Sequence, residues 1–299
     1  MGPVFLSIPG AEEDAQAGRL ATEAKKIDWN VVWGRQIRLR RENGARECAA
    51  LWQRPEHAQR YLEAIQANNP EYFAHTLGAI HLEPHFNVLD IGAGPGAMTL
   101  PMARRAARIT AVEPAAGMAD LLEERCRIEG IANVGCLRRR WEDVDPGFDL
   151  QGPFDVVVAA FCLGMEDLRA ALEKINQVCR GTIYLFWFAG ASTWEKLYRD
   201  LWPRLHGRPY QPGPKAEVIY NLISQMGIYP DTTVFPFRSR LRFANFEEAV
   251  EEFGHRLGVA DPNASTPLRT FLKAQLQTEG IDLFLPHEAT CVRFRWAAN

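Results

Sequence analysis

Between residues 87 and 188 the chain alternates short runs that are apolar throughout with longer stretches that are apolar along one side only. The runs at 88–91, 108–112, 134–137, 154–160 and 182–188 read as strands. The stretches at 98–107, 118–129 and 166–179 read as helices. Strands apolar on both faces need cover on both, so the alternation predicts a parallel sheet between two helical layers. Strand-like runs at 233–235 and 290–296 bring the expected sheet to seven strands. The expected fold is a doubly wound, mostly parallel α/β sheet.

The flanks have a different rhythm. Trp33, Ile37, Ala45, Ala49 and Trp52 recur three to four residues apart or in multiples of that spacing. Pro55 suits the first turn of a further helix carrying Ala58, Tyr61, Leu62 and Ile65. Asn68-Asn69-Pro70 breaks it, and another helical stretch runs to about 81. Residues 1–24 show no sustained periodicity and read as a flexible lead-in. Beyond residue 190 the pattern loosens, with helices expected at 215–226, 246–257 and 266–279. The expected partition is a lead-in at 1–24, an N-terminal helical cap at 25–84 and a sheet domain at 85–299. An insertion at about 191–230 would lie above the carboxyl ends of the strands, where ligands bind open α/β sheets.

Hydrophobic residues make up 47% of the chain and charged residues 24%, which suits an ordinary globular protein with a substantial core. The net charge of −3 does not favour nucleic acid as a partner. No apolar run reaches the roughly 18 residues of a membrane span, and no secretory signal is visible, so a cytoplasmic location is expected. The six cysteines are scattered without a C-x-x-C pair, as reduced thiols would be. His75, His81 and His85 straddle Pro84 and do not share a helical face, so no metal site is expected.

The strongest local feature is Asp90-Ile91-Gly92-Ala93-Gly94-Pro95-Gly96, between a strand and a helix. Glycines let a backbone turn tightly and bring its N–H groups close to a ligand. Their positions depart from the dinucleotide pattern, which needs glycine at 97, where Ala97 stands. Asp90, two positions before the first glycine, would repel a pyrophosphate and attract an ammonium group. Glu113 ends the next strand, where a carboxylate can accept hydrogen bonds from both hydroxyls of a ribose. This residue alone does not distinguish a nicotinamide dinucleotide from another adenosyl cofactor. Arg140-Trp141-Glu142-Asp143 follows the third strand, where a loop can meet an adenine.

Three segments resemble the class I S-adenosylmethionine-dependent methyltransferases. VLDIGAGPG is similar to their glycine-rich first motif, ITAVEPAAGM to their ribose-binding motif, and FDVVVAAFCLGMEDL to their fourth strand and its loop. The resemblance covers roughly residues 85–190 and implies methyl transfer from S-adenosylmethionine. It places Asp90 at the methionine ammonium, Gly92 and Gly94 under the cofactor, and Glu113 at the ribose. It puts Met118 on the adenine, Trp141 and Glu142 at the adenine edge, and Ala160 and Phe161 near the methionine portion. The chain departs from many relatives in having Arg140 where they carry Asp. It also lacks the Asn/Asp-Pro-Pro-Tyr/Phe signature of many nitrogen methyltransferases, with Ala160-Phe161-Cys162-Leu163 in that place, which disfavours an adenine or glutamine amide acceptor. The 191–230 insertion offers Trp194, Trp202, His206, Tyr210, Lys215 and Tyr220 to an acceptor pocket, with His206 and Tyr210 as candidate bases. The expected acceptor is a small molecule. RNA or protein methylation, or a catalytically silent S-adenosylmethionine-binding protein, are the alternatives.

Overall fold

The computed structural model describes residues 27–66, 73 and 75–298. Five parallel strands form its centre: β1 (Asn87–Ile91), β2 (Arg108–Val112), β3 (Val134–Leu137), β4 (Phe154–Ala160) and β5 (Cys179–Ala189). Three more follow: β6 (Asp231–Phe243), the short β7 (Gln277–Glu279) and β8 (Asp282–Ala297). The order across the sheet is β3-β2-β1-β4-β5-β8-β6, with β7 attached to the start of β8. Seven strands thus make the main path, as expected, and an eighth is added at one end. β8 is antiparallel to both β5 and β6.

Successive residues of a strand point to opposite faces, and the two faces have separate cores. On one, Leu89, Val157, Ile183 and Leu185 meet the helices Leu168–Val178, Ala216–Gln225 and Trp29–Glu42 through Leu172, Ile219 and Trp33. On the other, Val88, Val156, Val158 and Phe186 meet Met98 and Met102 of the Thr99–Ala103 helix and its approach. The alternation of apolar strands and one-sided helices is therefore the cause of the three-layered arrangement. Gly181, which marks a break in the sequence pattern, lies inside β5. A Cβ there would stand 2.1 Å from the Asp155 carbonyl oxygen, so glycine keeps the strands together beside a shift of register between Phe154 and Val156.

The region past residue 190 builds more than a lid. β6 pairs with β8 from Asp231–Arg295 to Phe243–Leu283, whereas β5 pairs with β8 only as far as Ala189–Thr290. The two-stranded ribbon therefore runs on beyond the end of the sheet. Its Leu241, Phe243 and Leu285 pack with Leu201 and Trp202 of the Thr193–His206 helix, Phe253 of Phe246–Leu257 and Leu272 of Thr266–Gln275. This is a second core. The Thr193–His206 helix starts at Ser192, whose hydroxyl accepts the Glu195 N–H, and stops at Gly207 in the left-handed conformation.

At the N-terminus the Trp29–Glu42, Cys48–Leu51 and Pro55–Gln66 helices lie where the periodicity puts them. The first belongs to a helical layer of the sheet, and the others fold across the carboxyl ends of the strands. The lead-in at 1–24 and the break at 68–70 lie outside the described residues. Among the described residues no helix is long and apolar enough to cross a membrane.

Candidate active site

The β1–helix turn places a carboxyl group where few proteins tolerate one. Asp90 is 2% exposed and accepts a hydrogen bond from the Thr99 hydroxyl at 2.6 Å. Burial raises its pKa to about 7; the Thr99 hydrogen bond opposes the rise and nearby Glu113 adds to it. Glu113, 6% exposed, accepts the backbone N–H of Gly94 and that of Ala115, both at 2.8 Å. Burial raises its pKa too, against those two hydrogen bonds. One carboxylate thus ties the glycine turn after β1 to the turn after β2.

The glycines of this turn do different things. Gly92 and Gly94 both have positive φ, at 68° and 56°. A Cβ on Gly92 would lie 2.2 Å from the Cβ of Cys162, so Gly92 admits the loop after β4. A Cβ on Gly94 would meet nothing within 4 Å. The turn therefore presents bare backbone to open space above Gly94, as a cradle for a ligand must. Phe161, at the carboxyl end of β4, holds φ at 57°, a strained value for a bulky residue and the mark of a position fixed by its surroundings.

The segment 46–66 closes over these strand ends. The carbonyl oxygens of Trp52 and Gln53 come so near Gly117 that a Cβ there would stand within 2.8 and 2.9 Å of them. The Gln53 side chain accepts the Ala116 N–H at 3.2 Å, and Glu47 pairs with Arg140 at 2.6 Å. On its other side the segment is fastened to the second core. His57 and Arg60 both reach Glu252, which is fully buried, and Arg60 also pairs with Glu248 at 2.7 Å. Arg46 contacts His255 at 3.0 Å.

Cys48 has an exposed surface, and Tyr61, Cys162 and Tyr198 are half-buried. Yet burial raises the pKa of all four, that of Tyr198 to about 12. A cleft of about 430 Å³ opens from the adjoining surface, lined by Ala49, Gln53, Pro114, Arg140 and Asp143 among others.

Residues 88–181 match the family described as methyltransferase domain. Over that segment the chain resembles the class I methyltransferases. Among curated proteins, an uncharacterized protein of Haemophilus influenzae is 26% identical over 128 residues, 43% of this chain and 47% of that one. A 23S rRNA (uracil(1939)-C(5))-methyltransferase of Pectobacterium carotovorum is 29% identical over 96 residues, 30% of this chain and 21% of that one. The matched part thus spans under half the length of either relative. Among solved structures, a phosphoethanolamine N-methyltransferase of Haemonchus contortus shares the fold with a TM-score of 0.52 at 16% identity. The match covers 82% of this chain and 57% of that one, which was crystallised with phosphomonomethylethanolamine and S-adenosylhomocysteine.

Within the methyltransferase domain, Asp90, Gly92, Gly94 and Glu113 converge on the β1 and β2 turns, and Ala160 and Phe161 end the neighbouring β4. Two expected adenine contacts need correcting. Trp141 is 3% exposed, packs in the sheet core and donates its indole N–H to the Ala171 carbonyl at 3.2 Å. Met118 is buried against Ala58, with Trp52 and Tyr61 alongside. Both side chains are occupied by protein. Glu142 is exposed, and its neighbour Asp143 lines the cleft instead. Gln53 was missed because it lies in the bend between two short helices far upstream of the sheet's motifs.

The candidate bases also move. His206 pairs Nε2 with the Leu257 carbonyl at 3.0 Å and packs on Trp202, so it serves the second core. A carbonyl can only accept, which commits Nε2 as the donor. Burial pushes the Tyr210 hydroxyl up, with Arg40 opposing, which disfavours a phenolate. Lys215 pairs with Glu195, and Trp202 belongs to the second core. Tyr220 is exposed beside Phe294.

Proposed function

We propose that this chain transfers the methyl group of S-adenosylmethionine to a small molecule. The observation that carries this reading is the buried pair Asp90 and Glu113 on either side of a turn that leaves open space above Gly94. The residues fit the cofactor group by group. Asp90 meets the α-ammonium, directly or through water, Glu113 takes the ribose hydroxyls, and the cleft by Pro114 and Asp143 receives the adenine edge. That relatives of the same fold were crystallised with S-adenosylhomocysteine supports it.

The sulfonium of the bound cofactor supplies an already activated methyl group. The chain's residues then have to position an acceptor atom in line and keep water out. Phe161 packs on Phe188 at 4.6 Å between ring centroids, giving that space an apolar wall at the end of β4. Tyr61, Tyr198 and Tyr210, with hydroxyls pushed up by burial, do not ionise near neutral pH. Such a lining suits an acceptor atom whose lone pair is free before attack.

Of the N-terminal arginines that an RNA phosphate could meet, Arg38 and Arg41 both pair with Glu166, and Arg41 also with Glu47. Calorimetry should show S-adenosylhomocysteine binding at micromolar concentrations and no binding of NAD. Labelled methyl groups should pass to a metabolite extract and not to RNA or protein. Absence of affinity for the nucleoside product would remove the reading altogether.

Asp90 gives the binding a pH signature. With a pKa of about 7 it is partly protonated near neutrality, and a cation prefers its ionised form. Below pH 7 binding must therefore expel a proton, and affinity should fall toward about tenfold per pH unit. Calorimetry in two buffers of different ionisation heat should report close to one proton released at pH 6 and almost none at pH 8.

A further inference from the structure

Around the second core, three side chains carry buried polar atoms without a partner: Nη2 of Arg256, Nε1 of Trp194 and Nδ1 of His287. They are neighbours. The Arg256 guanidinium lies 5.0 Å from the Trp194 ring centroid, and the Trp194 and His287 rings are 4.2 Å apart. The Arg256 side chain is 7% exposed, and it is also sandwiched against Trp52 of the closing segment at 5.2 Å. An orphaned donor in such a place costs on the order of 1–3 kcal/mol, more when charged, and rarely persists without a reason.

Arg256 has no carboxylate to itself. Glu252 accepts from Arg256 Nε at 2.6 Å, but Arg60 and His57 bind the same carboxylate. Burial would raise the pKa of Glu252, yet Arg256, Arg60 and His57 bring it down to about 2. One fixed negative charge therefore answers two buried guanidinium groups, of which Arg60 has Glu248 as well. Glu195, in the same helical turn as Trp194, is already bound by Lys215 and Arg199. His287 is pushed down to about 4, by burial first and then by the charge of Arg256, so it is neutral and does not repel a cation or compete with the arginine. Trp194 lies in the first turn of its helix, where the backbone adds positive potential.

The cluster is linked to the methyl-transfer point by a row of rings. Phe161 at the end of β4 neighbours Phe237 at 6.3 Å, and Phe237 neighbours His287 at 5.7 Å. We propose that the acceptor carries an oxyanion, a carboxylate or a phosphate, seated on Arg256 Nη2 and Trp194 Nε1 beside His287, with its body lying along Phe237 towards Phe161. This deepens the methyltransferase reading and rests on it: the cofactor half supplies the methyl, and the second core selects an anionic small molecule.

The test uses the full-length protein saturated with S-adenosylhomocysteine, at constant ionic strength. Benzoate, phenyl phosphate and neutral benzamide are titrated by calorimetry, with the fluorescence of Trp52 and Trp194 as a second readout. At least one of the two anions should bind tenfold or more tighter than benzamide, and which one does so separates carboxylate from phosphate. Arg256→Met should weaken that anion by about 10- to 100-fold, the range of a charged hydrogen bond. Because losing a partner of Glu252 could harm folding, Trp194→Phe is the second variant. It keeps the ring, removes only the donor, and should weaken the anion several-fold while leaving benzamide unchanged.

Equal binding of anions and benzamide, or anion binding that neither variant changes, would overturn the proposal. So would a loss of S-adenosylhomocysteine affinity in Arg256→Met with the anion unaffected, which would assign the charge to the cofactor's own carboxylate. Failure of the wild-type protein to bind S-adenosylhomocysteine would instead count against the methyltransferase reading.

Discussion

Replacing Asp90 with asparagine should lower the affinity for S-adenosylhomocysteine by about a hundredfold, the loss expected for a charged hydrogen bond in a dry site. The same change should make the empty protein more stable at pH 8. The native carboxyl has a pKa of about 7, well above its ordinary value, because burial penalises its charge. Between roughly pH 4 and 7 the native state therefore holds a proton that the unfolded chain has lost, and stability falls as pH rises through that window. Above it the buried charge is a standing penalty. Asparagine has no charge to bury, and its carbonyl still accepts from Thr99, so the gain should be about 1–3 kcal/mol at pH 8 and close to nothing at pH 4. Denaturant unfolding at the two pH values, beside calorimetry, measures both effects. An asparagine variant that binds normally would mean that Asp90 faces no ammonium. One that is destabilised at pH 8 would mean that the carboxylate is paired in a way the structure does not show.

Gly92→Ala should unfold the domain more readily by about 3–4 kcal/mol, from two separable causes. The positive φ of 68° strains any residue with a Cβ, and that Cβ would stand 2.2 Å from the Cβ of Cys162. Removing the second atom tests the division. Cys162→Gly in the Gly92→Ala background should recover the steric part and leave about 1 kcal/mol from the backbone. Because Cys162 also donates its thiol to the Ile91 carbonyl at 3.0 Å, Cys162→Gly alone carries its own modest loss, which the double-mutant cycle subtracts. Urea midpoints of the four proteins decide it. A Gly92→Ala variant within 1 kcal/mol of the wild type would show that the turn relaxes, and no recovery in the double variant would place the strain elsewhere.

What could be read from the sequence follows from how far its causes reach along the chain. Asp90, Gly92, Gly94 and Glu113 lie within one strand–turn–helix–strand passage, and each is demanded by local geometry, so residue type and order reveal them. Trp141 was misread because a loop beside an adenine and a loop anchoring a core use the same amphipathic ring. Only the position of Ala171, thirty residues on, decides between them. The second core was largely hidden. Pro236 and Pro286 interrupt runs that otherwise alternate like strands, and proline argues against a strand unless an edge is near. β6 is the edge of the sheet, and at Pro286 β8 has already passed the last residue paired with β5, so both prolines lie beside a free edge. The Thr193–His206 helix did leave a local mark, Ser192 followed three residues later by Glu195 and closed by Gly207, amid a stretch rich in prolines and glycines.

The segment 46–66 touches both halves of the molecule, with Gly117 and Arg140 on one side and Glu252 and His255 on the other. A strap shared in this way makes the two ligands thermodynamic allies. Whatever free energy one of them contributes to fastening the strap is no longer required of the other, and the benefit is equal in both directions. Trp52 touches both Gly117 and Arg256. That places it between the two halves.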